Sequence, residues 1–166
     1  VRFHKLNNLE KTNDKAKVLR ACSVMRSVFE PTPLQKNEYL SKKYNTNIFL
    51  KREDLSPVRS YKLRGALNSM QKCAGIKHFV CASAGNHAQG VAYMAAHLNV
   101  QATIFMPSTT PLQKISKTKM FGGDNVETVT VGDYFDECLL AATEFSHREK
   151  AHFLSPFDDA DVIEGQ

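Results

Sequence analysis

From His78 onward the chain repeats one pattern: a short apolar run, then a longer segment whose apolar residues fall three and four positions apart. His78-Phe79-Val80-Cys81-Ala82 predicts a strand, and His87 to Leu98 predicts a helix. Ala102 to Met106 reads as the next strand, followed by a helix over Leu112 to Phe121 that Gly122-Gly123 closes. Val126 to Val131 is a third strand. Tyr134 to His147 is then a helix that turns Phe135, Cys138, Leu139, Ala142 and Phe145 inward. Phe153-Leu154 is a last short strand before a turn at Pro156. Strands separated by helices at this spacing form βαβ units, so the fold class is α/β with a doubly wound, mostly parallel sheet. Such sheets bind ligands outside the carboxyl ends of their strands.

The part before His78 is less regular. Val18, Cys22, Met25 and Phe29 mark an amphipathic helix from about Asp14 to Phe29, ended by Pro31 and Pro33. A short helix is expected over Lys36 to Tyr44 and a strand over Ile48 to Lys51. Leu63, Ala66, Leu67 and Met70 define a further helix that starts close to Lys62.

Composition narrows the function classes. With 42% hydrophobic and 23% charged residues in 166, the chain reads as a soluble globular domain. No run approaches the roughly 20 apolar residues that cross a bilayer. Val1 to Asn13 is polar, with no secretory signal, and lacks an initiator Met, so the natural start is expected upstream. The net charge of +5 is spread out, and Lys114, Lys117 and Lys119 look like the wet face of one helix, so neither nucleic acid nor membrane is an expected partner. Cys22, Cys73, Cys81 and Cys138 form no C-x-x-C pair, and reduced thiols of a cytoplasmic protein are expected.

Two segments carry the chemistry. In Ser60-Tyr61-Lys62-Leu63-Arg64-Gly65-Ala66 a lysine stands at a helix start, flanked by Arg59 and Arg64, with Tyr61 as a flat wall. A desolvated amine among cations can act as a nucleophile or hold an aldehyde as a Schiff base. The small residues Ser83, Ala84 and Gly85 lie between a strand end and a helix start, where backbone N–H groups and the helix dipole suit a carboxylate or phosphate. Asn86 can cap that helix or meet a ligand oxygen. His87 can shuttle protons, although a histidine in a helix's first turn is more often structural. Glu53-Asp54 reads as a charged turn, and Asp158, Asp159 and Asp161 as a turn and helix N-terminus. The histidines lack metal-ligand spacing, so no metal is expected.

Lys51-Arg52-Glu53-Asp54-Leu55, the Ser60 to Ala66 segment and Ala82-Ser83-Ala84-Gly85-Asn86-His87-Ala88-Gln89-Gly90-Val91-Ala92 together resemble the serine/threonine dehydratase family. The likeness continues through Ile104 to Pro107, Gly122-Gly123, Pro156-Phe157-Asp158-Asp159 and Asp161 to Gln166. The resemblance implies a pyridoxal 5'-phosphate enzyme of the tryptophan-synthase-β-like fold (fold type II). It implies that Lys62 bonds to the cofactor aldehyde and later takes the substrate α-proton, that Tyr61 packs beside the cofactor ring, and that Asn86 meets its phenolic oxygen. Ser83, Ala84, Gly85, Asn86 and His87 would surround the carboxylate of a small amino-acid substrate. The implied reaction is β-elimination from a hydroxy-amino acid to a 2-oxo acid and ammonia, with isoleucine biosynthesis as its setting. Racemase-like relatives carry a serine where this chain has Ala84, which favours a dehydratase, and threonine over serine. An L-serine dehydratase or related β-eliminating enzyme, or an inactive truncated α/β binding module, are the alternatives.

In that family the chain runs on to a glycine-rich phosphate loop that residues 1–166 do not contain. The sequence is therefore expected to be the N-terminal portion of a longer, homo-oligomeric enzyme, inactive alone. By analogy, residues 1–54 begin the large domain, 55–150 form the small α/β domain, and 151–166 start the return.

Overall fold

The computed structural model describes residues 14–166. The polar start read over Val1 to Asn13 lies outside the described residues. Seven α-helices and six strands follow in the order α1 (Asp14–Arg26), β1 (Leu34–Lys36), α2 (Glu38–Lys43), β2 (Phe49–Lys51), α3 (Lys62–Lys72), β3 (His78–Ala82), α4 (Asn86–Leu98), β4 (Gln101–Met106), α5 (Leu112–Gly122), β5 (Val126–Thr130), α6 (Phe135–Arg148), β6 (His152–Phe153) and α7 (Ala160–Gly165).

The alternation read after His78 produces a four-stranded sheet of order β5-β4-β3-β6. Its three strand pairings are parallel, with Val80 opposite Thr103, Ile104 opposite Thr128 and Phe79 opposite His152. Successive side chains on a strand point to opposite faces, and here both faces are covered. Phe79 and Cys81 of β3 face a core built with Leu63, Leu67, Val91 and Ala92 of α3 and α4. Val80 and Ala82 face the other way, onto Phe105, Cys138 and Ala142. A strand buried on both sides is why the β3 sequence is apolar throughout and does not alternate.

The N-terminal region departs from expectation in three places. The first helix stops at Arg26, because the Val28 and Phe29 amides both turn back onto the Met25 carbonyl at 3.0 Å. Its inward face holds Met25, as expected, but Ala21 is buried in place of its neighbour Cys22, and Val18 is 53% exposed. A strand at Leu34–Lys36, which the sequence did not signal, pairs antiparallel with β2 as a separate two-stranded ribbon (Leu34 with Lys51, Lys36 with Phe49). All six residues of that ribbon are exposed, so no burial pattern existed to betray β1. The helix expected from Lys36 starts at Glu38, because Asn37 caps it by accepting from the Leu40 amide at 2.8 Å.

All four cysteines are free thiols, with Cys81 and Cys138 buried. Burial pushes both thiols up, Cys138 to about 11, which leaves them inert packing groups. Among the described residues no helix is long and apolar enough to cross a membrane, and no His, Cys, Asp and Glu cluster could hold a metal.

Candidate active site

The structure brings the two chemistry-bearing segments together by a close helix approach. A Cβ at Gly90, in the second turn of α4, would stand 3.0 Å from the Leu63 nitrogen and 3.1 Å from the Lys62 carbonyl carbon. Only glycine lets the backbone of α4 lie this close to the start of α3. That contact packs the start of α3 against the second turn of α4, the helix that follows the loop Ser83 to Gly85 at the carboxyl end of β3.

Lys62 opens α3. Tyr61 is the N-cap position; Ser60 before it accepts from the Lys62 amide through its hydroxyl at 3.2 Å, while Ser56 and Ser60 exchange two further bonds at 2.9 and 3.0 Å. Arg59 takes a left-handed backbone, φ 57°, to make the turn. The half-buried Lys62 amine donates to the Pro156 carbonyl at 3.4 Å and lies 5.4 Å from the centroid of the Tyr61 ring. Tyr61 is partly exposed beside it.

A partly buried ion pair anchors the helix from behind. Arg64 grips Glu53 with two bonds, 2.9 and 2.8 Å, and Thr32 adds a hydroxyl to the same carboxylate at 2.5 Å. Burial alone would raise the Glu53 carboxyl, but the bonds from Arg64 and Thr32 overrule it and hold it below the usual carboxylate range. Glu53 is thus more than the charged turn it resembles in sequence. It joins the segment after β2 to the lysine helix.

The loop Ser83 to Gly85 is pinned at its base, where the Ser83 amide donates to the Phe105 carbonyl at 2.9 Å. The Ser83 hydroxyl accepts from the Gly85 amide at 3.2 Å. The N-cap position is Gly85, and no side chain caps α4, so Asn86 is the first helical residue and not the cap. Its exposed side chain makes no hydrogen bond among the described residues. The amides of Asn86, His87 and Ala88 likewise find no acceptor there, since their partners would precede the helix. A Cβ at Gly85 would meet nothing within 4 Å. A bare backbone facing open space with unused N–H donors is a cradle for an anion.

His87 behaves differently from its neighbours. Its ring is 3% exposed, and Nε2 lies 3.2 Å from the Leu154 carbonyl. What this residue offers a ligand in the loop is its backbone N–H. Burial, against the Leu154 bond and with help from the nearby Lys62 charge, pushes His87 down to about 4. The sign follows. Between pH 6.5 and 4 the unfolded chain takes up a proton that the folded one refuses, so stability falls as pH falls through that window. Urea unfolding is expected to lose about 3 kcal/mol to this group across the window, a loss absent from His87→Gln.

Sequence reading singled out Lys62, Tyr61, Glu53 and residues 83–87 but missed the Ser56 and Thr32 side chains and two backbone partners, the carbonyls of Leu154 and Pro156. Backbone acceptors leave no trace in residue identity. The only available signal was the Pro156 segment, which drew attention through family likeness and not through chemistry.

A family model described as "Pyridoxal-phosphate dependent enzyme" matches residues 25–166. The chain belongs to that family. Among curated relatives, it is 52% identical over 145 residues to the biosynthetic L-threonine dehydratase IlvA of Staphylococcus saprophyticus, covering 86% of this chain and 34% of the relative. The chain thus spans about a third of the length of the curated relatives it matches. Among solved structures, the processed form of threonine deaminase isoform 2 from Solanum lycopersicum superposes with a TM-score of 0.85 at 38% identity, over 97% of this chain and 45% of that one. A second threonine deaminase, from T.th., gives a TM-score of 0.82 at 31% identity, over 90% of this chain and 47% of that one. The fold is that of the pyridoxal-phosphate dependent enzymes, and the family's cofactor is pyridoxal phosphate. The residues present fit such a group: a half-buried primary amine opens α3, and a glycine-fronted anion cradle opens α4, which packs against it.

Proposed function

We propose that the protein converts L-threonine to 2-oxobutanoate and ammonia, with pyridoxal phosphate held through Lys62. One observation carries the reading. Lys62 opens the helix that packs on α4 through Gly90, and the Gly85-fronted start of α4 has unused N–H groups, in a chain about half identical to biosynthetic L-threonine dehydratases.

When bound, pyridoxal phosphate supplies an electron sink for the pair left when a bond to the amino acid's α-carbon breaks. The residues of this chain do the rest. Lys62 would hold the cofactor's aldehyde carbon, and its Nζ, once free, takes the α-proton. Tyr61 would flank the cofactor ring, and the uncommitted side chain of Asn86 would meet its phenolic oxygen. The backbone of Ser83, Ala84, Gly85, Asn86 and His87 receives the substrate carboxylate, fixing which α-bond faces the lysine. Ala84 bears no hydroxyl, so the opposite face has no group there to return a proton, and elimination prevails over inversion. Overall the α-C–H and β-C–O bonds break with loss of water, and a water then cleaves the C–N bond to release ammonia.

Steady-state turnover of the protein as its gene encodes it, loaded with pyridoxal phosphate, tests the substrate. The kcat/KM for threonine should exceed that for serine by about tenfold, the worth of one well-placed methyl group. A preference for serine, or cofactor-loaded protein that forms no 2-oxo acid from either, would overturn the assignment.

A further inference from the structure

We propose that His87 is a positioning residue: through the Leu154 carbonyl it fixes the segment 154–156, whose Pro156 carbonyl receives the Lys62 amine, and so it sets where that amine stands. The inference rests on the reading of Lys62 as the cofactor-bearing lysine.

The two contacts lie two residues apart on one segment. His87 Nε2 reaches the Leu154 carbonyl at 3.2 Å, and Lys62 Nζ reaches the Pro156 carbonyl at 3.4 Å. A carbonyl only accepts, so Nε2 carries the ring proton. Nδ1 is buried with no partner, and the ring is committed through that single bond. On the sheet side the Leu154 amide donates to the Val80 carbonyl at 2.8 Å. Beyond it the segment turns on itself, Ser155 donating to Asp158 at 2.5 Å, until Asp159 caps α7 by accepting from Asp161 and Val162. His87 is therefore the hydrogen-bonding link from α4, which bears the carboxylate cradle, to the strand exit that meets the lysine. A buried histidine that stays neutral at physiological pH keeps this link from switching.

The substitutions that separate this role from simple packing are His87→Gln, whose amide N–H sits at about the reach of Nε2, and His87→Asn, whose amide falls short. The measurement is acetylation of the gene-encoded protein, stripped of cofactor, by acetic anhydride. Mass spectrometry reads the rate at Lys62 relative to Lys72, which lies at the far end of the same helix between Asp161 and Glu164. In His87→Asn the ratio should rise about fivefold, the equivalent of one weak hydrogen bond released. With cofactor restored, kcat should fall while KM for threonine holds. His87→Gln should return the acetylation ratio to wild type. A ratio unchanged in His87→Asn overturns the proposal, as does His87→Gln reacting as fast as His87→Asn. General loosening accelerates Lys72 as well and leaves the ratio flat, which also counts against it. Borohydride reduction of the wild-type holoprotein keeps the two readings apart. If the cofactor is fixed at a residue other than Lys62, the site assignment falls and this inference with it. If the cofactor is fixed at Lys62 and the acetylation ratio does not move, the inference alone falls.

Discussion

Lys62→Ala is expected to lower kcat for threonine by about four orders of magnitude, the upper range for a positioned proton-transfer group. No neighbour can replace it. Arg59 and Arg64 cannot shed a proton at usable pH, and Arg64 is locked onto Glu53. Lys72 is held at the opposite end of α3 by Asp161 and Glu164. The His87 ring is spent on Leu154. Stability should hardly move, because the lysine is half-buried and its one hydrogen bond is long, so thermal unfolding is expected to change by less than about 1 kcal/mol. A large loss of activity without loss of fold separates chemistry from architecture. A variant that keeps more than about one per cent of wild-type kcat would show that the α-proton goes elsewhere.

Gly65→Ala should produce the opposite pattern, a folding defect arising away from the reacting atoms. A Cβ at position 65 would stand 2.6 Å from the Val162 carbonyl oxygen and 2.7 Å from its Cγ1. The reciprocal position is as tight: a Cβ at Gly165 would meet the Arg64 carbonyl at 2.7 Å and the Gly65 Cα at 2.9 Å. Two glycines face each other where α3 crosses α7, and main-chain atoms cannot rotate out of the way. Overpacking of this kind costs about 1–3 kcal/mol, and the upper end is expected here because one obstacle is backbone. Urea unfolding reads the effect directly. The displacement should also reach the site, since Asn68 and Ser69 of α3 hold the Asp161 carbonyl and the Asp159 side chain that end the Pro156 segment.

The parallel sheet was legible because its strands had to be apolar on both faces, and the helices between them had to carry one inward stripe. Each of those demands writes a period into the sequence, so His78–Ala82 matched residue for residue. Of the β1–β2 ribbon only β2 was read, within Ile48 to Lys51, and β1 was not. Its three-residue strands are exposed throughout, and pairing alone, without burial, selects no residue type. At the site, the residues proposed to meet a ligand by side chain or bare backbone were named from the sequence: Lys62, the small residues 83–85 and Asn86. What was not legible is how the lysine is held. Its supports are the Pro156 carbonyl, the Leu154 carbonyl that fixes it, and the clearance at Gly90, all backbone features created by the tertiary fold. Glu53 falls between. Its pairing with Arg64 depends on a turn geometry that places two residues of separate motifs in register.

The account turns on where the cofactor is attached. Borohydride reduction of the pyridoxal-phosphate-loaded protein, followed by proteolysis and mass spectrometry, should place a single pyridoxyl group on Lys62. Recovery of that group on another lysine, or a reduced protein that carries none, would contradict it.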